Sequence, residues 1–308
     1  MSSALLINWI QATLTWSAPL IICAMGEVFC ERSGVINMGI EGIMLFGALC
    51  GVATCYYANS PLVAVLVSLV LGIILGFGVA FLTVSRRTNQ VVTGLMINML
   101  ATGATNLIFA LFADIRTNRA QVFTTLFPAS MHKIPVVGPI LFAQPITTWI
   151  AFILPVLAAF LLYKTRWGLN IRAVGDNPKA CATAGLNVIH LKYQAVIVSS
   201  MMAALAGCVL TLATSGYFAA GGMTNGRGFI VLAAVVVGGW DPLRTTLACV
   251  LFGAADALQM RMQITGSAIP TQFLQMLPYV ITVIVLTIMV KRSRVPKTWG
   301  AAYDPSDV

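Results

Sequence analysis

KTRWGLNIRAVGDNPKACATAGLNVIHLK, residues 164–192, is the longest polar and basic stretch of a chain that is otherwise mostly apolar. Two apolar runs flank it, 145–163 and 193–214, each long enough to cross a bilayer. Within it, Asn177-Pro178 has the form of a helix start, with Asn as the cap and Pro at the first helical position. Residues from Pro178 to about Ala184 favour a short helix, and Gly185-Leu186-Asn187 supplies its end. These residues leave two readings open. One is an amphipathic connector lying on a membrane surface; the other is a short helix shaped to dock into a partner subunit.

Composition sets the class. Of 308 residues, 59% are hydrophobic and 9% charged, and the mean hydropathy of +0.91 lies far outside the soluble range. An all-α, polytopic integral membrane protein is the natural reading. The net charge of +9 does not point to nucleic acid, because the basic residues sit in short loops beside apolar runs, as the positive-inside rule expects. Six of the seven cysteines (Cys23, Cys30, Cys50, Cys55, Cys208, Cys249) fall in or beside apolar runs without a CxxC pair, so they read as apolar fillers. His132 and His190 are the two histidines, which argues against a histidine metal centre. The first apolar segment, about 5–30, has neither a basic n-region nor a small-residue cleavage site and reads as a retained span.

Gly26–Gly51, GEVFCERSGVINMGIEGIMLFGALCG, carries three of the nine acidic residues: Glu27, Glu31 and Glu41. A carboxylate near mid-membrane costs about 2.5 kcal/mol or more, so it should face protein or water. Asn37 and Glu41, four apart, are expected on one helix face. Gly34, Gly39 and Gly42 allow a broken helix or close packing, and Gly47 and Gly51 offer a flat surface to a neighbour. Glu31-Arg32 reads as an interfacial ion pair. Glu41 suits either a transport pathway or a hydrogen bond to a helix end.

Segment 61–84, with Gly72 and Gly76, is a packing helix ended by Arg86-Arg87. The span 89–113 is unusually polar, with Asn89, Gln90, Thr93, Asn98, Thr102, Thr105 and Asn106. Asn98, Thr102 and Thr105 fall within a sector of about 60° on a helix. Such a stripe either glues helices together or lines an aqueous route. Residues 114–144 form the longest loop, with Pro128, Pro135, Pro139, Arg116, Arg119 and Lys133. A glycine-rich stretch precedes a run at 229–237 that is too short to cross alone; Asp241-Pro242 then starts a span at 243–260 that contains Asp256. A last span, 271–290, ends in Lys291, Arg292, Arg294 and Lys297.

Nine apolar segments result, one of them short, within an expected range of about eight to ten membrane helices including a short or broken one. With the C-terminal basic cluster inside, thirteen of the eighteen bases fall on the cytoplasmic side, and the N-terminus falls outside. Residues 1–295 then form one transmembrane domain and 296–308 a short cytoplasmic tail. A loose echo between 39–51 and 226–239 suggests a two-half pseudo-repeat.

Three segments together resemble a known family: ERSGVINMGIEGIMLFGA, GLNIRAVGDNPKACATAGLNV, and GGWDPLRTTLACVLFGAADALQ followed by LPYVITVIVL. They look like permease subunits of ABC importers, in the branch serving ribose-type sugars, branched-chain amino acids and nucleosides. Within it they are most similar to the shorter permease of purine nucleoside importers. The likeness covers roughly 15–295. Arg244 departs from the small residue or glycine expected at its position, which bears on local packing.

The resemblance implies an ABC importer permease fold in a bacterial plasma membrane. It makes Asn177–Gly185 the coupling helix, with Arg172, Gly175, Asp176, Asn177, Pro178, Lys179, Ala180 and Gly185 engaging an ATPase subunit. Asn37, Glu41, Asn98, Thr102, Thr105 and Asn106 are the residues expected along the substrate pathway. The implied partners are that ATPase, a second related permease in a heterodimeric pore, an extracytoplasmic substrate-binding protein and a small-molecule solute. No catalytic residue or cofactor is expected in this chain, ATP and Mg belonging to the partner. Independently of the resemblance, the chain has no GxxxxGK[ST], so it cannot cradle ATP phosphates as a P-loop does. Two other readings remain: the same permease role for a pentose or other small polar solute, and a self-powered secondary transporter or channel using Glu41 and Asp256.

Overall fold

Each of the nine apolar segments is a helix in the computed structural model, which describes residues 3–128, 131, 137–220, 222–264, 270–289 and 295–304. In chain order the helices begin α1 (Ser3–Arg32), α2 (Ile40–Ala58), α3 (Pro61–Ala80) and α4 (Gln90–Leu111). A short α5 (Ala113–Thr117) precedes α6 (Ile146–Lys164), α7 (Arg166–Asp176), α8 (Pro178–Thr183) and α9 (Val188–Leu212). The chain continues through α10 (Arg227–Val237), α11 (Pro242–Ile264) and α12 (Thr271–Met289). Among the described residues there is no strand, only an isolated bridge between Thr125 and Pro145.

Six helices are long and apolar enough to cross a membrane: α1, α2, α3 with its π-helical end, α4, α6 and α9. Helices α10 and α12 are shorter and apolar, while α11 carries Arg244, Asp256 and Arg261 along its length. Over their apolar stretches α1 and α9 are 83% and 72% buried, against 28%, 17% and 33% for α3, α4 and α6. Helices α1 and α9 are therefore the centre of the bundle. Helix α9 packs on α1, α2 and α3, and α11, α6 and α10 also pack on α1.

The small residues explain how close this packing is. A Cβ at Gly47 of α2 would stand 2.0 Å from the Ala204 carbonyl oxygen of α9, and one at Gly207 would stand 1.9 Å from that of Met44. Between apolar helices in lipid, such backbone approach replaces the hydrophobic drive available in water. The flat surface expected at Gly47 and Gly51 is thus filled by α9.

Side chains end the helices much as their types dictate. The Asn89 carboxamide accepts from Val91 and Val92 N–H at 3.0 and 3.1 Å, and the Asp241 carboxylate from Leu243 and Arg244 N–H at 3.1 and 3.0 Å. Each such cap stabilises its helix by about 1 kcal/mol.

Helices α1 and α2 are not one rod. The chain breaks at Ser33–Gly39, with Gly34 at φ +85°, a conformation that a side chain would strain. Asn37 lies in this break, so it does not share a helix face with Glu41, which sits in the first turn of α2. The 114–144 loop is partly structured, by α5 and a π-helical turn at Gly138–Phe142; Lys133 and Pro135 lie outside the described residues.

Candidate coupling loop and translocation elements

The basic stretch 164–192 contains two helices and the start of a third. Thr165 caps α7 by accepting from Gly168 N–H at 3.1 Å. Trp167, Ile171 and Val174 recur at helical spacing, and Ile171 and Val174 form a buried cluster with Cys181, Val188, Leu191 and Ala195. Trp167 stacks against Phe29 of α1 with centroids 5.1 Å apart, and its indole N–H donates to Gln194 of α9 at 2.8 Å. Residues 188–192 belong to α9, and Lys192 is buried rather than part of a solvated loop.

The tip has the expected form. Asn177 accepts from Ala180 N–H at 3.1 Å, Pro178 occupies the first helical position, and Gly185 at φ +83° ends α8. Asp176, Asn177, Lys179, Ala180 and Gly185 are exposed, whereas Gly175 and Pro178 are buried. Arg172 stays half-buried, its guanidinium over the Tyr163 ring at 5.2 Å. A Cβ at Gly175 would stand 2.0 Å from the Arg32 carbonyl oxygen, so the end of α7 rests directly on the end of α1.

The break between α1 and α2 is the second feature. Irregular backbone is tolerated at membrane depth only where protein satisfies its polar groups. Here the Glu27 carboxylate accepts from Asn37 N–H at 3.1 Å and from the Ser199 hydroxyl at 2.5 Å. The Asn37 amide donates to Ser199 and Ser200 at 3.1 and 3.2 Å. Gln90 accepts from Ile36 N–H at 2.8 Å, and Asn98 bridges the Met38 carbonyl at 3.0 Å and Gly42 N–H at 2.8 Å. Three helices, α1, α4 and α9, therefore supply the polar groups of one seven-residue break.

Glu41 serves a helix end. One oxygen accepts from the Thr224 hydroxyl at 2.6 Å and Gly226 N–H at 2.8 Å, and the other from Gly228 N–H at 2.6 Å. A carboxylate at these N-terminal amides of α10 also complements the helix dipole. Nearby, Arg227 pairs with Asp256 at 3.1 Å and lies over the Trp16 ring at 4.9 Å. The expected Glu31–Arg32 ion pair is not formed. Glu31 accepts from the Trp240 and Trp299 indoles at 2.6 and 2.9 Å, while Arg32 donates to the Trp240 carbonyl at 2.9 Å.

Of the residues expected along the pathway, the structure gathers Asn37, Glu41 and Asn98 around the break. The others lie further along α4. Thr105 is buried and bonded to the Ala101 carbonyl at 2.7 Å, Thr102 is exposed, and Asn106 is half-buried. Sequence reasoning did not single out α7, the acceptor role of Glu27 or the Ser199-Ser200 pair. The Trp167–Ile171–Val174 spacing was a readable signal for α7; the other two depend on contacts between residues 172 positions apart.

The structure is thus an apolar multi-helix bundle that presents an exposed, capped helix, α8, at the end of α7, which itself rests on the central helix α1. The chain belongs to the family described as branched-chain amino acid transport system, permease component, whose model matches residues 9–286. It is 35% identical over 302 residues to the nucleoside ABC transporter permease protein NupC of Lactococcus lactis, covering 94% of each chain. It is 36% identical over 310 residues to the guanosine ABC transporter permease protein NupQ of Bacillus subtilis, covering 96% and 95%. A metal-chelate type ABC transporter solved in an inward-facing conformation shares the fold, with a TM-score of 0.51 at 15% identity over 92% of this chain and 85% of that one. The protein is thus a multi-pass membrane permease, one component of a transport system.

Proposed function

We propose that this chain forms the translocation pathway of an ATP-driven importer for nucleosides in a bacterial plasma membrane. The observation that carries the proposal is the exposed Asp176–Gly185 tip, held against α1 at Gly175. The cargo rests on similarity to NupC and NupQ along nearly the whole chain. The positive-inside rule puts the α7–α8 end and the C-terminus in the cytoplasm. There an ATPase subunit, holding ATP and Mg, moves α8 and with it the bundle between two packings. A second, related permease completes the pore, and a substrate-binding protein delivers solute outside. Thr102 and Asn106, on the accessible part of α4, are the groups proposed to meet the solute. Asn37, Glu41 and Asn98 hold the helices that surround it, while Thr105 bonds back to its own helix.

A self-powered transporter is disfavoured by the same contacts. Glu41 accepts from three donors and Asp256 pairs with Arg227, which gives both carboxylates a part in holding helices together. Competition uptake tests the cargo. Labelled guanosine entering cells through this system is expected to be displaced by excess adenosine and to be indifferent to excess ribose. Ribose uptake that excess guanosine leaves unchanged would replace nucleosides by a pentose.

A further inference from the structure

The segment 295–304 does not hang free of the bundle; it is bonded at four places, to the end of α7, to α1, to the α1–α2 break and to the α3–α4 turn. Thr298 caps α7. Its N–H and its hydroxyl both donate to the Gly175 carbonyl, at 3.1 and 2.7 Å. That carbonyl is one of the four that a helix C-terminus leaves without an internal partner. Trp299 donates its indole N–H to Glu31 at 2.9 Å and meets the Trp240 ring edge-on, with centroids 6.0 Å apart. Gly300 N–H donates to the Gly34 carbonyl at 3.0 Å, within the α1–α2 break. Further on, Tyr303 packs on the apolar cluster beneath α8, and Asp304 pairs with Arg87 in the α3–α4 turn.

The position of these bonds gives them a meaning. Helix α8 is joined covalently to the bundle only through α7 behind it and α9 ahead of it. The start and middle of α7 are held by Trp167 on Phe29 and by the apolar cluster with α9; its end touches α1 at Gly175 and Arg32, a backbone contact that by itself resists compression but not separation. The tail crosses that joint, with one residue bonded to α7, the next to Glu31 and the third to the break. It closes the joint against pulling as well as pushing. Glu31 also binds Trp240, whose backbone is held at φ +57° in the α10–α11 turn. A bulky residue rarely takes that conformation unless its surroundings impose it. One buried carboxylate therefore ties α1, the α10–α11 turn and the tail into a single unit.

We propose that residues 296–304 are a transmission strap, with Trp299 as its positioning residue, that makes the α1–α2 break follow α8 in both directions of its stroke. The inference rests on the reading of α8 as the coupling helix. Its test is made in proteoliposomes that hold the complete transporter purified through this chain. Guanosine taken up per ATP hydrolysed is measured for wild type, Trp299→Ala, Trp299→Phe and, as a control on the coupling reading, Ala180→Trp. Phenylalanine keeps a ring against Trp240 and removes the N–H that Glu31 accepts, so it reports on the bond without emptying the site. Both Trp299 variants are expected to assemble and to lose roughly tenfold or more in guanosine per ATP. An unchanged ratio in both, with loss in Ala180→Trp, overturns the strap and leaves the coupling helix standing. An unchanged ratio in all three removes the coupling reading and the strap with it. Failure of both Trp299 variants to assemble makes the segment an assembly element and also overturns the proposal.

Discussion

A tryptophan at Ala180 is expected to cut guanosine uptake roughly tenfold or more, with the permease still present and folded in the membrane. Ala180 is exposed on the first turn of α8; its carbonyl accepts from Ala184 N–H and the Thr183 hydroxyl, and its N–H donates to Asn177 at 3.1 Å. A larger side chain leaves that bond in place and adds bulk only to the outer surface of the tip. If that surface enters a groove on the ATPase, the bulk holds the two subunits apart and the stroke is not delivered. Asn177→Ala is expected to act in the same direction by another route. It removes a cap worth about 1 kcal/mol from a helix of six residues. Uptake and ATP hydrolysis are read side by side, with membrane content measured by a tag. Wild-type uptake in both variants would remove the coupling role of 176–185.

The second large effect is expected at Glu27. Leucine there would leave Asn37 N–H and the Ser199 hydroxyl without the acceptor that now takes both, in a region with no exposed surface. Each orphaned buried donor costs about 1–3 kcal/mol, so the pair is worth about 2–6 kcal/mol, a large part of the stability of a marginally stable fold. Glu27→Gln keeps a carbonyl oxygen for Asn37 N–H, and its amide can donate to Ser199, whose hydroxyl can turn to accept. Glu27→Leu is therefore expected to lower the thermal midpoint and yield of the purified protein well below those of Glu27→Gln. Equal midpoints for the two variants would mean that the acceptor is not what holds the break.

These two sites differ in how readable they were. The α8 tip is local: Asn177, Pro178 and Gly185 carry the start and stop of a short helix within nine residues, and the structure repeats that pattern. The nine apolar segments were readable for a similar reason, since length and hydropathy alone decide whether a run can span a bilayer. Glu27, by contrast, is one of three carboxylates in Gly26–Gly51, and the pattern alone does not say which of them meets a serine far along the chain. Glu41 shows the same limit. Its place in the first turn of α2 was legible, but its three donors come from the loop and helix around residue 226. Glu31 and Arg32 looked like a pair because they are adjacent and oppositely charged. In the fold Trp240 and Trp299 reach the carboxylate, while the guanidinium turns to backbone carbonyls. Helix α7 was overlooked for a different reason: its polar residues outweigh a three-residue apolar face that is buried only because α1 and α9 lie beneath it.

The central claim is that energy for transport reaches this bundle from outside it, through α8. The most direct test is to tag this chain, solubilise native membranes gently, and reconstitute whatever co-purifies into liposomes loaded for guanosine uptake. The account predicts an ATPase subunit and a second permease in the preparation, and uptake that requires hydrolysable ATP. A lone chain that transports guanosine reproducibly without ATP would contradict it.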